Sequence, residues 1–525
     1  MNNEEHKGIT LLKKGHKGLL HIVFSRIGLI LILLVLQVLL VGVAFYKFGE
    51  YLPWFYALVL VLGGVMVLYL LNNRMDPSVK VTWLIVFMLM PIVGVLLFWY
   101  TQSNLGHRAL RERVDNILAV TRENLTQDPE TAERLTEADP GADALARYLM
   151  NTGGCPVYDG TDSAYFPLGE DMWEEMLRQL EQAQHFIFME YFIVDEGEMW
   201  GQVLEILARK AKAGVEVRLM YDGFCELSLL PRDYPKRLEA LGIRCKAFSP
   251  VTPFLSTHYN YRDHRKIMVI DGQVAFTGGV NLADEYINRK ERFGHWKDTA
   301  VMVRGKAVQS FTLMFLQMWS VRERETEDFQ PYLTVPVTVP ERTAGFVIPY
   351  GDCPLDRDKV GEMVYIDILN RAQKYVHIMT PYLILDGELE TALKFAAERG
   401  VEVTLILPGI PDKPMAYALA KGHYRSLLDS GVHIYEYTPG FVHAKVFAAD
   451  GREAVVGTIN LDYRSLYHHF ECAAYLHGAD CLPDIEADFQ DTLAKCREVT
   501  YESVRREKWT TKALGVLLKA IAPLM

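Results

Sequence analysis

The sequence predicts an α/β protein of two homologous lobes, each carrying half of a site, preceded by N-terminal transmembrane helices. Three observations predict it. First, a pattern recurs: His264-x-Lys266, four residues, Asp271, and again His443-x-Lys445, four residues, Asp450. Each copy is followed by a glycine-asparagine signature, Gly278-Gly279-Val280-Asn281 in one and Gly457-Thr458-Ile459-Asn460 in the other. The step from His264 to His443 equals the step from Asn281 to Asn460, so the two copies are in register. Second, the flanks repeat: Gly214-Val215-Glu216-Val217-Arg218-Leu219 matches Gly400-Val401-Glu402-Val403-Thr404-Leu405, and Gly242-Ile243-Arg244 parallels Gly431-Val432-His433. Third, 27–46, 52–71 and 81–100 are apolar runs without a charged side chain. Each matches the length of about 20 residues that crosses a bilayer core.

Taken in order, residues 1–102 form the membrane region. The stretch 1–26 carries Lys7, Lys13, Lys14, Lys17 and Arg26. The first apolar run is too long for a secretory signal and lacks a small-residue cleavage pattern, so it reads as an anchor. The third contains Pro91 and Gly94 and closes on Trp99 and Tyr100, residues suited to a membrane interface. Residues 103–145 are charged and broken by prolines, a connector. From Cys155 the pattern alternates helix (173–183, 202–213, 234–241) with strand (185–194, 215–221, 243–248), giving a first α/β lobe over 146–330. The Pro-punctuated stretch 330–340 joins it to a second lobe over 341–507, with helices at 363–373 and 389–399 and a strand at 375–379. Residues 508–525 space lysines among apolar residues as an amphipathic helix, which fits either a membrane interface or the surface of the second lobe.

With 525 residues the chain exceeds a single core. Its net charge of −11 argues against a general nucleic-acid binder, and any attraction to anionic lipid must come from local basic patches. The basic run Arg289-Lys290-Glu291-Arg292 reads first as a solvated loop. Seven cysteines without a CxxC spacing read as ordinary thiols.

Apolar residues after each lysine place the repeated pattern on a buried strand, where residues two apart share a face. His264 and Lys266 therefore project together, as do His443 and Lys445. An imidazole attacks phosphorus or carries a proton, and a neighbouring ammonium neutralises phosphate. Glycines let the chain turn closely, bringing backbone N–H groups and an Asn amide towards phosphate oxygens. Asp271 and Asp450 complete the pattern but lie an odd number of residues away, on the opposite face, which suits capping of a turn. Asp298 and Glu471 occupy equivalent positions in the repeat and open matching strands. Each is expected beside its own lobe's motif, fixing a histidine tautomer.

The paired motifs resemble the two HKD motifs of the phospholipase D superfamily, and their contexts, Gly278 to Tyr286 and Gly457 to Ser465, resemble bacterial cardiolipin synthases. The resemblance implies phospholipase-D-like lobes meeting at a pseudo-two-fold interface with one shared active site. Its catalytic set would be His264, Lys266, Asp271, His443, Lys445 and Asp450, with His264 as nucleophile and His443 as general acid/base. Asn281, Asn460, Gly279 and Thr458 would bind the substrate phosphate, and Asp298 and Glu471 would orient the histidines. It implies no metal and no cofactor, phosphatidylglycerol and other phospholipids as partners together with the membrane, and no nucleic acid. The reaction would join two phosphatidylglycerols into cardiolipin, releasing glycerol; a membrane-bound phospholipase D, a nuclease or a non-enzymatic scaffold are the alternatives. Thr458 replaces a more usual serine, and His469 stands where asparagine is common. The resemblance implies two spans and lobes facing the cytoplasm, whereas three spans with the basic N-terminus inside would place the lobes outside. Oligomeric state is left open.

Overall fold

The computed structural model describes residues 8–11, 35, 39, 42–43 and 52–524, except 74, 103–104, 122–123, 251–260, 322, 324, 341–342 and 357. The basic N-terminus and nearly all of the 27–46 run lie outside the described residues.

Helix α1 (Leu52–Asn72) covers the second apolar run. The third run is not one helix. It breaks at Met90 into α2 (Pro77–Leu89) and α3 (Pro91–Gln102), because Pro91 has no N–H to donate and its ring excludes the preceding turn. Asp76 caps α2 by accepting from the Ser78 N–H at 2.8 Å. The hairpin closes on a small aromatic core in which Phe98 meets Trp83 and Phe87 edge-on, with ring centroids 5.0 and 5.5 Å apart. Counted on the described residues, no helix is long and apolar enough to cross a membrane.

Helix α4 (Leu105–Thr121) leads through α5 (Pro129–Ala138) and α6 (Pro140–Gly153) into the lobes. The first lobe is a sheet of seven strands: β1 (Thr161–Phe166), β2 (Phe186–Tyr191), β3 (Glu216–Asp222), β4 (Arg244–Phe248), β6 (Lys266–Ile270), β7 (Val274–Gly278) and β9 (Ala300–Gly305), in the order β1-β9-β7-β6-β2-β3-β4. Two short strands, β5 (Arg262–Asp263) and β8 (His295–Lys297), leave this sheet. Helices α7 (Gly169–Leu180) and α8 (Glu198–Lys212) cover one face, and α9 (Val308–Ser320) lies between the lobes. The second lobe has β10 (Phe346–Asp352), β11 (Tyr375–Met379), β12 (Glu402–Pro408), β13 (His433–Tyr437), β15 (Val446–Ala449), β16 (Glu453–Gly457), β17 (His469–His477) and β18 (Cys496–Glu498). Their order, β10-β17-β16-β15-β11-β12-β13-β18, reproduces the first sheet strand for strand and adds β18 at the edge. Its helices include α10 (Val360–Arg371), α11 (Gly387–Glu398), α12 (Pro414–Asp429) and α13 (Leu482–Leu493); strand β14 (Gly440–Val442) leaves the sheet as β5 and β8 do.

In both sheets three consecutive strands, β2-β3-β4 and β11-β12-β13, run parallel and the motif strand runs antiparallel beside them. The lobes are not separate bodies. One apolar core takes Phe311, Phe315 and Trp319 from α9, Val269 and Val303 from the first sheet, and Val446, Val456 and Cys472 from the second.

Helix α14 (Trp509–Lys519) packs on α12, where a Cβ at Gly515 would stand 2.5 Å from the Ala418 carbonyl oxygen. Its other face leaves Trp509, Val516 and Leu517 exposed. Of the two expectations for this segment, packing on the second lobe is the arrangement the structure has.

Asp271 and Asp450 sit in the hairpin turns after β6 and β15 with φ of +52° and +57°. Asp271 accepts from the N–H groups of Gln184, His185 and Phe186, each at 2.7 Å, and Asp450 does the same for Gln373, Lys374 and Tyr375. The grouping of these two aspartates with the catalytic residues is thereby corrected: each ties its turn to the start of the neighbouring strand, at the far end from the histidine. Asp271→Ala should cost about 2–3 kcal/mol, through three charge-assisted hydrogen bonds and a left-handed backbone position that alanine resists. A lowered denaturation midpoint with near-normal turnover of the folded fraction checks this; lost turnover at unchanged stability would restore a catalytic role.

Candidate active site

Two strand pairings assemble the site, and both cross between lobes. Strand β5, the lead-in to the first motif, pairs in parallel with β17 of the second lobe, Arg262 opposite His469 and Asp263 opposite Phe470. The next residue on each side is His264 and Glu471, and the His264 N–H donates to the Phe470 carbonyl at 2.9 Å. Strand β14, the lead-in to the second motif, pairs with β8 of the first lobe, Val442 opposite Lys297. That register sets His443 beside Asp298, and the His443 N–H donates to the Lys297 carbonyl at 2.7 Å.

The side chains follow. His264 Nδ1 lies 2.9 and 3.0 Å from the two Glu471 carboxylate oxygens, and His443 Nδ1 lies 2.6 Å from Asp298 Oδ2. The expectation that each acid serves its own lobe's motif is corrected: each histidine is held by the acid of the other lobe. Binding Nδ1–H to a carboxylate leaves Nε2 as the nitrogen with a free lone pair. All four groups are buried, Asp298 and Glu471 completely.

Lys266 and Lys445 share the strand face of their histidines and donate to the carbonyls of His264, at 2.5 Å, and of His443. Burial pushes the Lys266 ammonium down to about 8 and Lys445 down to about 7. Burial, reinforced by both lysines, holds the two imidazoles well below the usual histidine range. Asp298 at 2.6 Å favours an imidazolium at His443, but desolvation outweighs it, and the same desolvation raises the Asp298 carboxyl to about 7. The resting site is thus short of negative charge, which an entering phosphodiester anion supplies.

The remaining candidates divide. The Asn281 amide is engaged, its oxygen accepting from the Ile193 N–H at 2.9 Å and its nitrogen donating to the Tyr286 hydroxyl at 2.8 Å. The Asn460 amide oxygen is buried without a hydrogen-bond partner among the described residues. Gly279 does not offer its N–H to a phosphate, because that group donates to the Thr299 carbonyl. Its lack of a side chain is what matters: a Cβ there would fall 2.0 Å from Asp298 Oδ1 and 2.9 Å from the His443 carbonyl oxygen. Thr458 likewise turns to the acid, donating to Glu471 Oε2 and accepting from the Cys472 N–H at 3.0 Å.

His469 is buried with its ring 5.3 Å from that of His264 and Nδ1 3.5 Å from Glu471 Oε1, and burial holds it down at about 3. It stands in the site as a neutral ring behind the nucleophile candidate. His264, His469 and Glu471 bring ligand atoms within 4.8 Å of one another, but the Lys266 and Lys445 charges that act on Glu471 suit an anion there rather than a cation. A second carboxylate group, Glu362, Asp386 and Glu388, is already paired through Lys359, at 3.5 Å from Glu362 and 3.1 Å from Glu388.

Sequence reasoning missed the aromatic walls. Phe192 lies 5.0 Å from the His264 ring, and Tyr286 and Trp296 lie 5.5 and 5.4 Å from His443. The lone signal available for them was their nearness in sequence to the motifs and to Asp298.

The lysine values set a pH dependence. kcat/KM should fall as pH rises through about 7–8, where Lys445 and then Lys266 lose their protons and with them the attraction for phosphate. It should fall on the acid side too, where protonation of Asp298 below about 7 removes the anionic partner of His443. A pH–rate profile checks both limbs; one that stays flat up to about pH 10 contradicts the role of the lysines.

The family described as "Cardiolipin synthase, PLD-like domain" matches residues 176–319 and 365–493, one stretch in each lobe. A cardiolipin synthase of Geobacillus kaustophilus is 34% identical over 457 residues, 87% of this chain and 90% of that protein. An uncharacterized protein of Streptococcus mutans serotype c is 57% identical over 460 residues, 87% of this chain and 99% of that protein. Among solved structures, the phosphatidylserine synthase of Haemophilus influenzae Rd KW20 superposes with a TM-score of 0.56 at 13% identity, covering 74% of this chain and 98% of that one, a likeness of fold.

Proposed function

The chain belongs to the family of PLD-like cardiolipin synthases, and from that premise we propose that it transfers a phosphatidyl group from one phosphatidylglycerol to another through a phosphatidyl-histidine. The observation that carries this reading is the crossed pairing, which turns two imidazoles, each with Nδ1 held by the opposite lobe's carboxylate, towards one site flanked by two buried lysines.

In the first step His264 Nε2 attacks phosphorus, the bond to the glycerol oxygen breaks, and that oxygen takes a proton from His443 Nε2. In the second, the acceptor's hydroxyl gives its proton to His443 Nε2, its oxygen bonds to phosphorus, and the phosphorus–nitrogen bond to His264 breaks. Lys266 and Lys445 stabilise the negative charge on the phosphoryl oxygens in both transition states. The entering phosphodiester raises the affinity of His443 for the proton that the first step requires.

Membrane attachment accounts for the N-terminal region. The side chains of Trp54, Leu58, Leu60, Val61, Leu68 and Leu71 on α1, and Met88, Leu96 and Trp99 on the hairpin, are exposed and apolar. We take the runs 27–46 and 52–71 as the two crossings on their sequence alone, each 20 residues without a charged side chain. The α2–α3 hairpin, with helices of 13 and 12 residues, is too short to cross. Two crossings put the N-terminus and the lobes on one side. With Arg74, Lys80, Arg108, Arg111 and Arg113 joining the five basic residues before the first run, against Lys47 alone in the intervening loop, that side is the cytoplasm. Labelling of single-cysteine variants from outside intact cells tests this: label on the lobes would reverse the orientation.

Purified protein supplied with phosphatidylglycerol vesicles should yield cardiolipin and one glycerol per product. Phosphatidic acid in its place would make the protein a phospholipase.

A further inference from the structure

The two halves of the site are near-symmetric, but one cleft beside it is not. It opens to solvent at the C-terminal end of β12 and is lined by Tyr382, Pro408, Asp412, Lys413, Tyr417 and Phe441. Clefts at the carboxyl ends of parallel strands are where open α/β sheets take ligands. The Phe441 ring stands 5.9 Å from the His443 ring and 6.5 Å from that of Tyr382, so the cleft adjoins the general acid/base.

Three polar groups are locked together in it. The Tyr382 hydroxyl donates to Asp412 Oδ2 at 2.6 Å and accepts from Lys413 Nζ at 2.8 Å, and the same ammonium lies 4.5 Å above the Tyr382 ring. Lys413, whose Nζ also lies 3.7 Å from Asp412 Oδ2, is thus held in place while its side chain stays 65% exposed and within reach of a ligand. Its charge acts on both His264 and His443. The first lobe repeats the acid but not the lysine: counted from Glu216 and Glu402, which match in the repeat, Glu226 stands where Asp412 does and Leu227 where Lys413 does.

We propose that Tyr382, Asp412 and Lys413 form the subsite for the acceptor lipid's headgroup. This rests on the cardiolipin synthase reading above. An acceptor phosphatidylglycerol carries its own phosphate three carbons from the hydroxyl that reacts. Lys413 donates to that phosphate, and the Asp412 carboxylate accepts from the headgroup's other hydroxyl. The terminal hydroxyl is then left at His443 Nε2, which takes its proton as the oxygen displaces His264 from phosphorus. Water carries neither group, so the cleft favours transfer over hydrolysis.

The test compares two acceptors on the full-length enzyme in phosphatidylglycerol vesicles: a second lipid, read as cardiolipin, and labelled free glycerol, read as label exchanged into phosphatidylglycerol. Free glycerol has the hydroxyls but no phosphate. Lys413→Ala should lower cardiolipin formation about tenfold more than it lowers exchange, and Lys413→Arg should restore most of the loss. Asp412→Asn should lower both together. Arg425→Ala, a change of surface charge on α12 at a side chain 81% exposed, should alter neither. Equal loss of both products in Lys413→Ala, or no loss in either, overturns the subsite. A wild-type enzyme that makes phosphatidic acid but no cardiolipin overturns the synthase reading itself, and the subsite with it.

Discussion

His264→Ala should abolish both cardiolipin formation and the covalent lipid adduct, a loss of at least about 10⁴-fold, because it removes the group assigned to form the bond to phosphorus. His443→Ala should behave differently. The nucleophile remains with its Glu471 partner, so an adduct still forms, slowed by about 10²–10⁴-fold for want of a general acid, and then persists because nothing deprotonates the acceptor. Trapping radiolabelled phosphatidylglycerol on the protein, followed by peptide mapping, separates the two. Label on His264 in wild type and in His443→Ala is the expected result; label on His443 would exchange the two roles.

The second large effect crosses the lobe boundary. Glu471→Gln should slow adduct formation at His264, on the other lobe, by about 10³–10⁴-fold, the scale on which an enzyme loses activity when an orienting carboxylate becomes an amide. The amide preserves shape but not charge, and when it presents N–H to Nδ1 it selects the tautomer whose Nε2 is protonated and cannot attack. Asp298→Asn should act on His443 instead, leaving the adduct to form slowly and to accumulate. Rapid-quench measurement of the two half-reactions distinguishes these outcomes. An effect of Glu471→Gln confined to adduct breakdown would mean that the acid serves His443, against the 2.9 Å contact with His264.

Much of this protein was legible in one dimension because duplication writes the same instructions twice. The constant offset from His264 to His443 and from Asn281 to Asn460 marked two lobes, and the Gly-Val-Glu-Val repeats marked the parallel strands that became β3 and β12. Helices began a few residues earlier than apolar spacing alone implied, as at α11, where the Asp386 side chain caps the Leu389 N–H and draws the first turn back to Gly387. Pro91 was visible as an interruption, but uniform apolarity concealed that it would divide the third run into a hairpin.

The identities of His264, Lys266, His443, Lys445, Asp298 and Glu471 came from residue type and repeat position, since strand alternation is a local property that the sequence alone determines. Which acid holds which histidine is not local. Pairing within each lobe and pairing across lobes satisfy the repeat equally well, and the choice falls to two short strands, β5 on β17 and β14 on β8, whose partners lie in the other half of the chain. Hydrogen bonds between strands depend on where the two sheets meet, and the apolar core around α9 decides that only once both lobes have folded against it.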